Sequence, residues 1–327
     1  MKLGQGRNWT TADIPSQAAK LAVVTGATGG LGFETALELS RASAEVILAG
    51  RNSSKGAEAI RRILAAVPLA RVRFELVDLT SLDSVAAFVD RLLAEDRAID
   101  ILVNNAAIMA NPKRQTTKDG FELQLGTNYL SHFALTGRLL PLILASANPR
   151  VVQVSSGAHR MGKNKIDFED LQSEHNHSPW NTYCQSKLAM LMFALELQRR
   201  SDAHGWRIRS NAAHPGYART DLIANGPGEN SLQSRMGKVL GRFLSQTAAE
   251  GALPTLYAAT DPDAQPAGYY GPRDRFEMRG PVVNAVIGRA AKDEAAARRL
   301  WEVSEQLTAV SWPDSRTGLH LASSATH

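Results

Sequence analysis

Two side chains that could move a proton, Tyr183 and Lys187, stand four residues apart in a segment of helical character. On a helix this spacing places them on one face, about 5–6 Å apart. A free phenol has a pKa near ~10, so it exchanges protons poorly at neutral pH unless a nearby cation favours its phenolate. Lys187 could supply that cation. Taken alone, a partly buried tyrosine beside a lysine that reaches solvent is the commoner explanation, so other residues must decide.

A glycine-rich turn near the amino terminus could bind phosphate. Gly26, Gly30 and Gly32 follow the apolar run 21–24 and precede the helical run 33–39. In a strand, turn and helix of this kind, free backbone N–H groups and the positive end of the helix dipole meet the charge of a pyrophosphate. The spacing differs from the common G-x-G-x-x-G pattern, and a glycine-rich turn is often only a turn. The sequence therefore predicts a dinucleotide-binding loop that needs support from elsewhere.

Residues at the ends of the next predicted strands bear on the identity of that dinucleotide. The second strand ends without the acidic residue that would hold a ribose 2′-hydroxyl, and it offers Arg51 instead. A guanidinium can pair with a 2′-phosphate through two hydrogen bonds, so Arg51 favours NADP over NAD, with a plain surface arginine as the alternative. Asp78 follows the third strand, where its carboxylate could lie near an adenine or cap a helix. The Asn-Asn-Ala-Ala run at 104–107 fits a turn and a ribose site equally well.

These residues need a scaffold that brings distant segments together. Short β-rich runs alternate with helix-length amphipathic runs, and the predicted strands are 20–25, 45–50, 71–77, 98–103, 150–155 and 206–213. Strands separated by helices imply right-handed crossovers and a parallel sheet that is covered on both faces. Ligands of such sheets bind beyond the carboxyl ends of the strands, where the strand order reverses. The sequence therefore predicts a single-domain α/β fold, a doubly wound parallel sheet with helices on both faces.

No linker in the sequence indicates a second domain, so we expect one domain with a short segment on either side. The predicted segments are an amino-terminal extension over 1–18, the domain over 19–310, an amphipathic helix over 290–308 within it, and a loose tail over 311–327. Two polar segments, 157–181 and 217–245, are long for connections in a compact fold. We interpret both as walls or lids on the substrate side, with 217–245 as the substrate lid.

The composition excludes several classes of protein. Of the 327 residues, 44% are hydrophobic and 21% charged, which is typical of soluble globular proteins. No apolar run reaches the ~20 residues of a membrane span and no signal-peptide pattern is present, so we expect no membrane association and a cytoplasmic location. A single cysteine, Cys184, fits a reducing compartment. The net charge of +5 comes from scattered basic residues, which argues against nucleic acid as a partner. His175 and His177 lie among acidic residues, but zinc needs three or four converging ligands, so no metal site is predicted.

Taken together, the motifs resemble those of the classical short-chain dehydrogenase/reductase family. The residues that carry this resemblance, in chain order, are Thr25-Gly26-x-x-x-Gly30-x-Gly32, Asn104-Asn105-Ala106, Asn128, Ser156, Tyr183-x-x-x-Lys187 and Pro215-Gly216. Others are similar to the retinol dehydrogenase-like branch and its bacterial relatives: Trp9-Thr10, Arg51, Ala158-His159, Asp170-Leu171, Tyr183-Cys184-x-Ser186-Lys187-Leu188-Ala189, His214-Pro215-Gly216 and Leu300-Trp301-x-x-Ser304. The resemblance covers about residues 9–310 and implies a Rossmann fold.

The resemblance implies a role for each residue of a Ser-Tyr-Lys-Asn site. Tyr183 is expected to be the general acid/base that protonates a carbonyl oxygen or deprotonates an alcohol. Lys187 is expected to lower the pKa of Tyr183 and to hold the nicotinamide ribose. Ser156 is expected to hydrogen-bond the substrate oxygen, and Asn128 to position a water on a proton relay through Lys187. Ser156 is preferred to Ser155 because the family motif places the catalytic hydroxyl second in the pair.

A wider set of residues is expected to contact the cofactor, and two to contact the substrate. The predicted cofactor-binding residues are Gly26, Thr28, Gly30, Leu31, Gly32, Arg51, Asp78, Leu79, Asn105, Ala106, Lys187, Pro215, Gly216 and Thr220. His159 and Trp180 are the candidates for substrate contacts. The chain departs from the family at Ala107, a conservative change, and at Gly29, where many NADP-dependent members carry a basic residue. Arg51 therefore carries most of the argument for NADP.

The expected function is that of an NADP(H)-dependent oxidoreductase that interconverts a carbonyl, in a ketone or aldehyde, and an alcohol by hydride transfer. One alternative is an enzyme like light-dependent protochlorophyllide reductase, which has the same fold and motif order. Another is a non-catalytic regulator that senses dinucleotides, although such regulators often lose the tyrosine or lysine. The partner is a small-molecule carbonyl or alcohol. Apolar helix faces around 128–147 and 183–200 could pair subunits in a homo-oligomer or belong to the core.

Overall fold

The strands end at the segments that carry the predicted chemistry. The computed structural model describes residues 8–109, 111–217 and 246–313. Its strands are β1 (Leu21–Thr25), β2 (Glu45–Gly50), β3 (Arg71–Leu76), β4 (Ile101–Asn104), β5 (Arg150–Val154), β6 (Arg209–Ala213), β7 (Tyr269–Asp274) and β8 (Arg279–Asn284). They form one sheet in the order β3-β2-β1-β4-β5-β6-β7-β8. The strand order reverses beside β1, which places the crevice between the ends of β1 and β4.

Helices cover both faces of this sheet. They are α1 (Gly30–Arg41), α2 (Ser53–Ala66), α3 (Leu82–Ala94), α4 (Leu123–Leu125), α5 (Ser131–Arg138), α6 (Leu140–Leu144), α7 (Pro179–His204), α8 (Ala248–Thr260) and α9 (Glu294–Thr308). A π-helical turn, Gly126–Leu130, joins α4 to α5. Short 3-10 turns lie at Thr11–Asp13, Gly157–Arg160, Phe168–Asp170 and Arg289–Lys292.

The prediction of a doubly wound parallel sheet is confirmed. The six predicted strands are present, with ends that differ from the expected ones by at most a few residues, and each pairs in parallel with its neighbours. Two strands were not predicted: β7 pairs in parallel with β6, and β8 pairs in antiparallel with β7 at the edge. Pro272 and Pro281 interrupt their strand character in the sequence: Pro281 lies in the edge strand β8, and Pro272 lies at an irregularity of the β7–β8 pairing, both positions where proline is tolerated.

The hydrophobic core lies in two layers, one on each face of the sheet. One layer is built from α1, α2 and α8, with Phe33, Ile63 and Leu256 buried between helix and sheet. The other is built from α3, α5, α7 and α9, with Phe133 and Phe193 among its buried rings. On each face of the sheet, the apolar side of the helices therefore packs against the strands, as the amphipathic pattern of the sequence predicts.

The helix faces that could have paired subunits belong to this second layer. Trp301 of α9 packs on Phe133 and Phe193 at ring-centre distances of 5.0 and 5.7 Å. Trp312 packs on Phe133 at 5.5 Å and on Trp301 at 4.6 Å. The carboxyl-terminal helix and Trp312 therefore cover the apolar faces of α5 and α7, which are core in this chain.

Residues at both ends of the described chain dock onto the domain. The Trp9 indole donates to Asp261 Oδ2 at 2.7 Å and packs edge-on against Tyr257. Trp312 is buried, while residues 314–327 of the predicted tail lie outside the described residues. Among the described residues, no helix is both long and apolar enough to cross a membrane.

Candidate active site

Helix α7 presents Tyr183 and Lys187 on one face, beneath the carboxyl end of β5. Ser178 caps the helix by accepting from the N–H of Asn181, and Gly205 ends it in the left-handed region with φ +66°. The Lys187 Nζ lies 5.8 Å from the centre of the Tyr183 ring. Both side chains are buried, with 5% and 2% of their surfaces exposed. The predicted proximity of these two residues is present in the structure.

Ser156 joins Tyr183 from the loop after β5. Its hydroxyl accepts from the N–H of Ala158 at 3.2 Å and hydrogen-bonds the Tyr183 phenol. Burial raises the pKa of Tyr183 to about 12, and the bond with Ser156 opposes that shift. The spacing predicts a pKa lowered by the charge of Lys187, but in the structure burial of the phenol dominates the shift, and Lys187 is not among the groups that contribute to it. The neighbouring Ser155 instead donates to the Lys187 carbonyl at 2.7 Å, so of the two serines only Ser156 is bonded to the phenol.

The Lys187 ammonium is held by the strand rather than by a carboxylate. Its Nζ donates to the Val154 carbonyl at 2.9 Å, and burial lowers its pKa to about 7. A lysine in such an environment carries its charge only partly at neutral pH. An incoming group with hydroxyl or anionic character would stabilise the charged form.

Asn128 lies in the π-helical turn, fully buried. Its Oδ1 accepts from the N–H of Ile108 at 2.8 Å, while its Nδ2 donates to the Ile108 carbonyl at 3.0 Å and to Ser186 Oγ at 2.9 Å. Ser186 donates in turn to the Tyr183 carbonyl at 2.8 Å. Single π-helical turns recur at functional sites because the extra residue redirects a side chain. Here the turn connects the loop after β4 with α7.

The glycine-rich turn leaves the amino terminus of α1 open to an anion. No side chain caps that helix, whose N-cap residue is Gly29, so its first N–H groups have no side-chain partner. Gly26 and Gly30 have φ values of +66° and +53°, and a Cβ on Gly32 would lie 2.4 Å from the Gly26 carbonyl oxygen. Asn105 fastens the turn to β4 through Nδ2, which donates to the Thr25 carbonyl at 2.8 Å. This donor set fits the phosphates of a dinucleotide.

Side chains that could contact the adenosine end of a dinucleotide line the ends of β2 and β3. Arg51 is exposed directly after β2, and Asn52 caps α2 by accepting from the N–H of Lys55 at 2.9 Å. Burial alone would raise the pKa of Asp78, but two bonds from Thr80 and the charge of Lys118 lower it. The remaining predicted residues here are Thr28 and Leu31, both half-buried, and Leu79, which is buried.

The unpredicted β7–β8 hairpin reaches back to the Pro215-Gly216 turn. Gly216, with φ +64°, has room for no side chain, because a Cβ there would lie 2.3 Å from the Met278 carbonyl oxygen. Glu277 accepts from Arg160 and from the N–H of Val286, each at 2.8 Å, and lies 3.4 Å from Nε2 of the buried His214. Burial alone would raise the pKa of Glu277, yet these partners bring it to about 2. One carboxylate therefore ties the hairpin to two turns of the site.

The two predicted substrate contacts have different surroundings. Both ring nitrogens of the buried His159 have protein partners: Nδ1 lies 2.7 Å from the Ser156 carbonyl, and Nε2 accepts from the N–H of Gly288 at 3.1 Å. This geometry favours an anchoring role for His159. Trp180 is 42% exposed and stacks on the Tyr183 ring at 5.7 Å, so it lies where a substrate could meet it. Thr220 and residues 218–245 of the predicted lid lie outside the described residues.

Sequence reasoning missed two residues of the site: Glu277, and His132, whose Nδ1 lies 2.9 Å from the Asn128 carbonyl oxygen. Glu277 could not be found because the hairpin that carries it was not predicted. His132 had a usable signal, since it follows Asn128 by four residues and so shares its helix face. Within the described ranges, no group of three His, Cys, Asp or Glu side chains could hold a metal ion.

Comparisons with known proteins agree with this architecture. The model of the short chain dehydrogenase family matches residues 20–168. The polyprenol dehydrogenase of Mus musculus is 38% identical over 92% of this chain and 88% of that protein. Retinol dehydrogenase 13 of Mus musculus is 39% identical over 93% of this chain and 89% of that protein.

A solved structure extends the likeness to three dimensions. The crystal structure of an uncharacterised protein from Mycobacterium paratuberculosis is 42% identical and superimposes with a TM-score of 0.77. The alignment covers 94% of this chain and 100% of that one. The likeness therefore includes the segments beyond residue 168, where Tyr183, Lys187 and the β7–β8 hairpin lie.

Proposed function

The chain belongs to the short-chain dehydrogenase/reductase family and is an NAD(P)-dependent oxidoreductase, and we propose that it interconverts a carbonyl and an alcohol with NADP(H). The observation that carries the proposal is the convergence of the half-buried Ser156 with the buried Tyr183 and Lys187. Asn128 joins it through Ser186. A non-catalytic regulator would have no need to keep this set together.

In the reducing direction, Tyr183 donates its proton to the carbonyl oxygen of the substrate. Bound NADP(H) supplies or accepts the hydride. A pKa of about 12 keeps the phenol protonated at neutral pH, so it is ready as the acid. Ser156, bonded to the same hydroxyl, orients the substrate oxygen. In the oxidising direction Tyr183 must first lose its proton, and a charged Lys187 favours the phenolate.

Three groups of residues hold the cofactor in this proposal. The open amino terminus of α1, with Gly26, Thr28, Gly30, Leu31 and Gly32, meets the pyrophosphate. Arg51 pairs with the adenosine 2′-phosphate, and the absence of a carboxylate from that position supports NADP over NAD. Asp78 and Leu79 lie at the adenine, Asn105, Ala106 and Lys187 at the ribose, and Pro215 and Gly216 beside the nicotinamide. Thr220 is proposed for the carboxamide.

We further propose that the substrate has an apolar body. Trp180 offers an exposed indole directly against Tyr183, and the names of two relatives refer to isoprenoid alcohols, retinol and polyprenol. An indole face binds apolar groups well because burial removes its large surface from water. His159 stays a candidate only as an anchor of the Ser156 turn.

The decisive experiment compares Tyr183→Phe with Tyr257→Phe on a panel of aldehydes and ketones that includes retinal and a polyprenal. NADPH oxidation is followed by absorbance and NADPH affinity by fluorescence titration. Loss of the acid should reduce turnover by about 10²–10⁴-fold while NADPH affinity is nearly retained. Tyr257 packs on Trp9 on the opposite face of the sheet, so its variant should behave as the wild type. Turnover of Tyr183→Phe close to the wild-type value would refute the mechanism.

A further inference from the structure

His132 links the glycine-rich turn to Asn128 through two hydrogen bonds. The ring is fully buried on α5, one helical turn after Asn128. Its Nδ1 lies 2.9 Å from the Asn128 carbonyl oxygen, and its Nε2 lies 2.9 Å from the Thr25 hydroxyl. Thr25 is the last residue of β1, directly before Gly26. Nothing in the mechanism proposed above uses this ring.

The chemistry of the partners fixes which atom donates in each bond. A carbonyl oxygen only accepts, so Nδ1 must carry the proton and donate the hydrogen bond to the Asn128 carbonyl. Burial lowers the pKa of His132 to about 4, so the ring is neutral at physiological pH and its Nε2 is an acceptor. The Thr25 hydroxyl must therefore donate to Nε2. The ring is held as the Nδ1–H tautomer.

The Thr25 hydroxyl is also fully used on its acceptor side. It accepts from the N–H groups of Asn105 and Ala106 at 2.9 and 3.0 Å, which fills both lone pairs. Its one proton has His132 at 2.9 Å and the Val103 carbonyl at 3.3 Å as possible acceptors, and the shorter bond is to His132. A single directed path of bonds therefore runs from the loop after β4, through Thr25 and His132, to Asn128.

We propose that His132 is a positioning residue that couples the cofactor-binding turn at Thr25 and Gly26 to the placement of Asn128. The inference rests on the proposed function, because it assigns these two ends to cofactor binding and to turnover. From Asn128 the path continues through Ser186 to the backbone of Tyr183. The bonds that join Thr25, His132, Asn128 and Ser186 are all buried, so a shift at either end weakens or breaks one of them.

Two substitutions separate the two bonds of the ring. In His132→Asn the side-chain amide can still donate to the Asn128 carbonyl from the position of Nδ1, but it is too short to reach Thr25. In His132→Gln the longer amide can accept from Thr25 at the position of Nε2, but it loses the Asn128 carbonyl. The pair therefore distinguishes coupling from simple packing, which both variants disturb.

The expected results differ for the two variants. His132→Asn should raise the Kd of NADPH about tenfold, equivalent to ~1.4 kcal/mol, and leave kcat within about twofold of the wild type. His132→Gln should lower kcat about tenfold and leave the Kd of NADPH within about twofold. If both variants change Kd and kcat in the same proportion, or lower only the melting temperature, His132 is a packing residue and the proposal fails.

The ring of the unaltered His132 provides a test that does not depend on these two variants folding. His159 and His204 also have Nδ1 against a carbonyl oxygen, so the measurement uses nitrogen-15 histidine spectra of the double variant His159→Gln/His204→Gln. At about pH 5 these spectra should retain one neutral ring that is protonated at Nδ1. If no such ring is present, the donor path is wrong and the coupling falls with it.

Failure of this inference differs from failure of the proposed function. If the wild type oxidises NADPH with a carbonyl substrate but the two His132 variants behave alike, only the coupling is refuted. If the wild type neither binds nor oxidises NADPH or NADH, the proposed function is refuted. The coupling then loses its premise, because no cofactor binds at the turn.

Discussion

The ammonium of Lys187 donates to the carbonyl of Val154 at 2.9 Å, while it lies 5.8 Å from the centre of the Tyr183 ring. The lysine is therefore fixed to the carboxyl end of β5, and its charge can reach the phenol only through space. Because burial lowers the pKa of Lys187 to about 7, its charge depends on pH within the physiological range. A group bound beside the ammonium would therefore change the charge of the lysine in the proposed catalytic pair.

Replacement of Lys187 by Met should weaken NADPH binding and move residual alcohol oxidation to higher pH. The variant loses the cation that favours the phenolate and the group proposed to hold the ribose. Fluorescence titration with NADPH and a pH profile of kcat measure the two effects. An unchanged affinity together with an unchanged profile would contradict the role of Lys187.

In the absence of cofactor, the difference in unfolding free energy between the wild type and Lys187→Met should depend on pH. The pKa of the lysine is about 7 in the folded protein and near ~10.4 in the unfolded chain. Between these values the unfolded chain binds more protons, so the free energy of unfolding rises with pH, by at most about 1.4 kcal/mol per unit. The wild type should therefore gain stability relative to Lys187→Met between about pH 7 and pH 9, as urea unfolding would show. A constant difference would mean that Lys187 is not buried in its neutral form.

Replacement of Arg51 by Asp should shift the cofactor preference towards NADH. Loss of a bidentate contact and repulsion of the 2′-phosphate should raise the Michaelis constant for NADPH at least about tenfold, equivalent to ~1.4 kcal/mol, and improve the relative use of NADH. Arg298→Asp on α9 makes the same change of charge at an exposed position and serves as the control. A wild-type enzyme that prefers NADH, or an unchanged ratio in Arg51→Asp, would remove the main support for NADP.

Acid should destabilise the fold through its buried histidines. Burial lowers the pKa of both His132 and His159 to about 4, against an ordinary value near ~6.5. Between these values the unfolded chain binds more protons, so the free energy of unfolding falls as the pH is lowered from about 6.5 towards 4, by at most about 1.4 kcal/mol per unit for each ring. Urea unfolding of His159→Gln should show a shallower fall than the wild type. His175→Gln, at an exposed site, should match the wild-type slope.

Replacement of Glu277 by Gln should loosen the Pro215-Gly216 turn. The neutral amide weakens the bond from Arg160 and the electrostatic contact with His214 and should cost roughly 1–3 kcal/mol of unfolding free energy. Because the turn is proposed to lie beside the nicotinamide, the Michaelis constant for NADPH should rise while Glu58→Gln, in an exposed pair on α2, has no effect. A variant with lowered stability but wild-type Michaelis constants would limit Glu277 to a structural role.

The sequence was sufficient for strands β1–β6 and for the individual motifs because both depend on local patterns. The spacing of Tyr183 and Lys187 and the glycines before α1 are visible in a few residues, and the family relationship is confirmed. It was not sufficient for the β7–β8 hairpin, because Pro272 and Pro281 are untypical of strands and are tolerated here only at an irregular register and in an edge strand. Glu277 and His214 meet only because of that hairpin. The pKa of Tyr183 likewise depends on the burial of the phenol, which spacing along a helix does not reveal.

Trp312 closes the aromatic cluster against α5 and α7 from a position close to the end of the chain. During synthesis, α7 leaves the ribosome long before Trp312 does, and its apolar face has no cover until α9 and Trp312 follow. The helix that bears Tyr183 therefore completes its packing only after Trp312 has been synthesised. A prematurely terminated chain would expose this aromatic face and be open to aggregation and proteolysis. The packed form of the helix that bears Tyr183 is thus conditional on synthesis of the chain through Trp312.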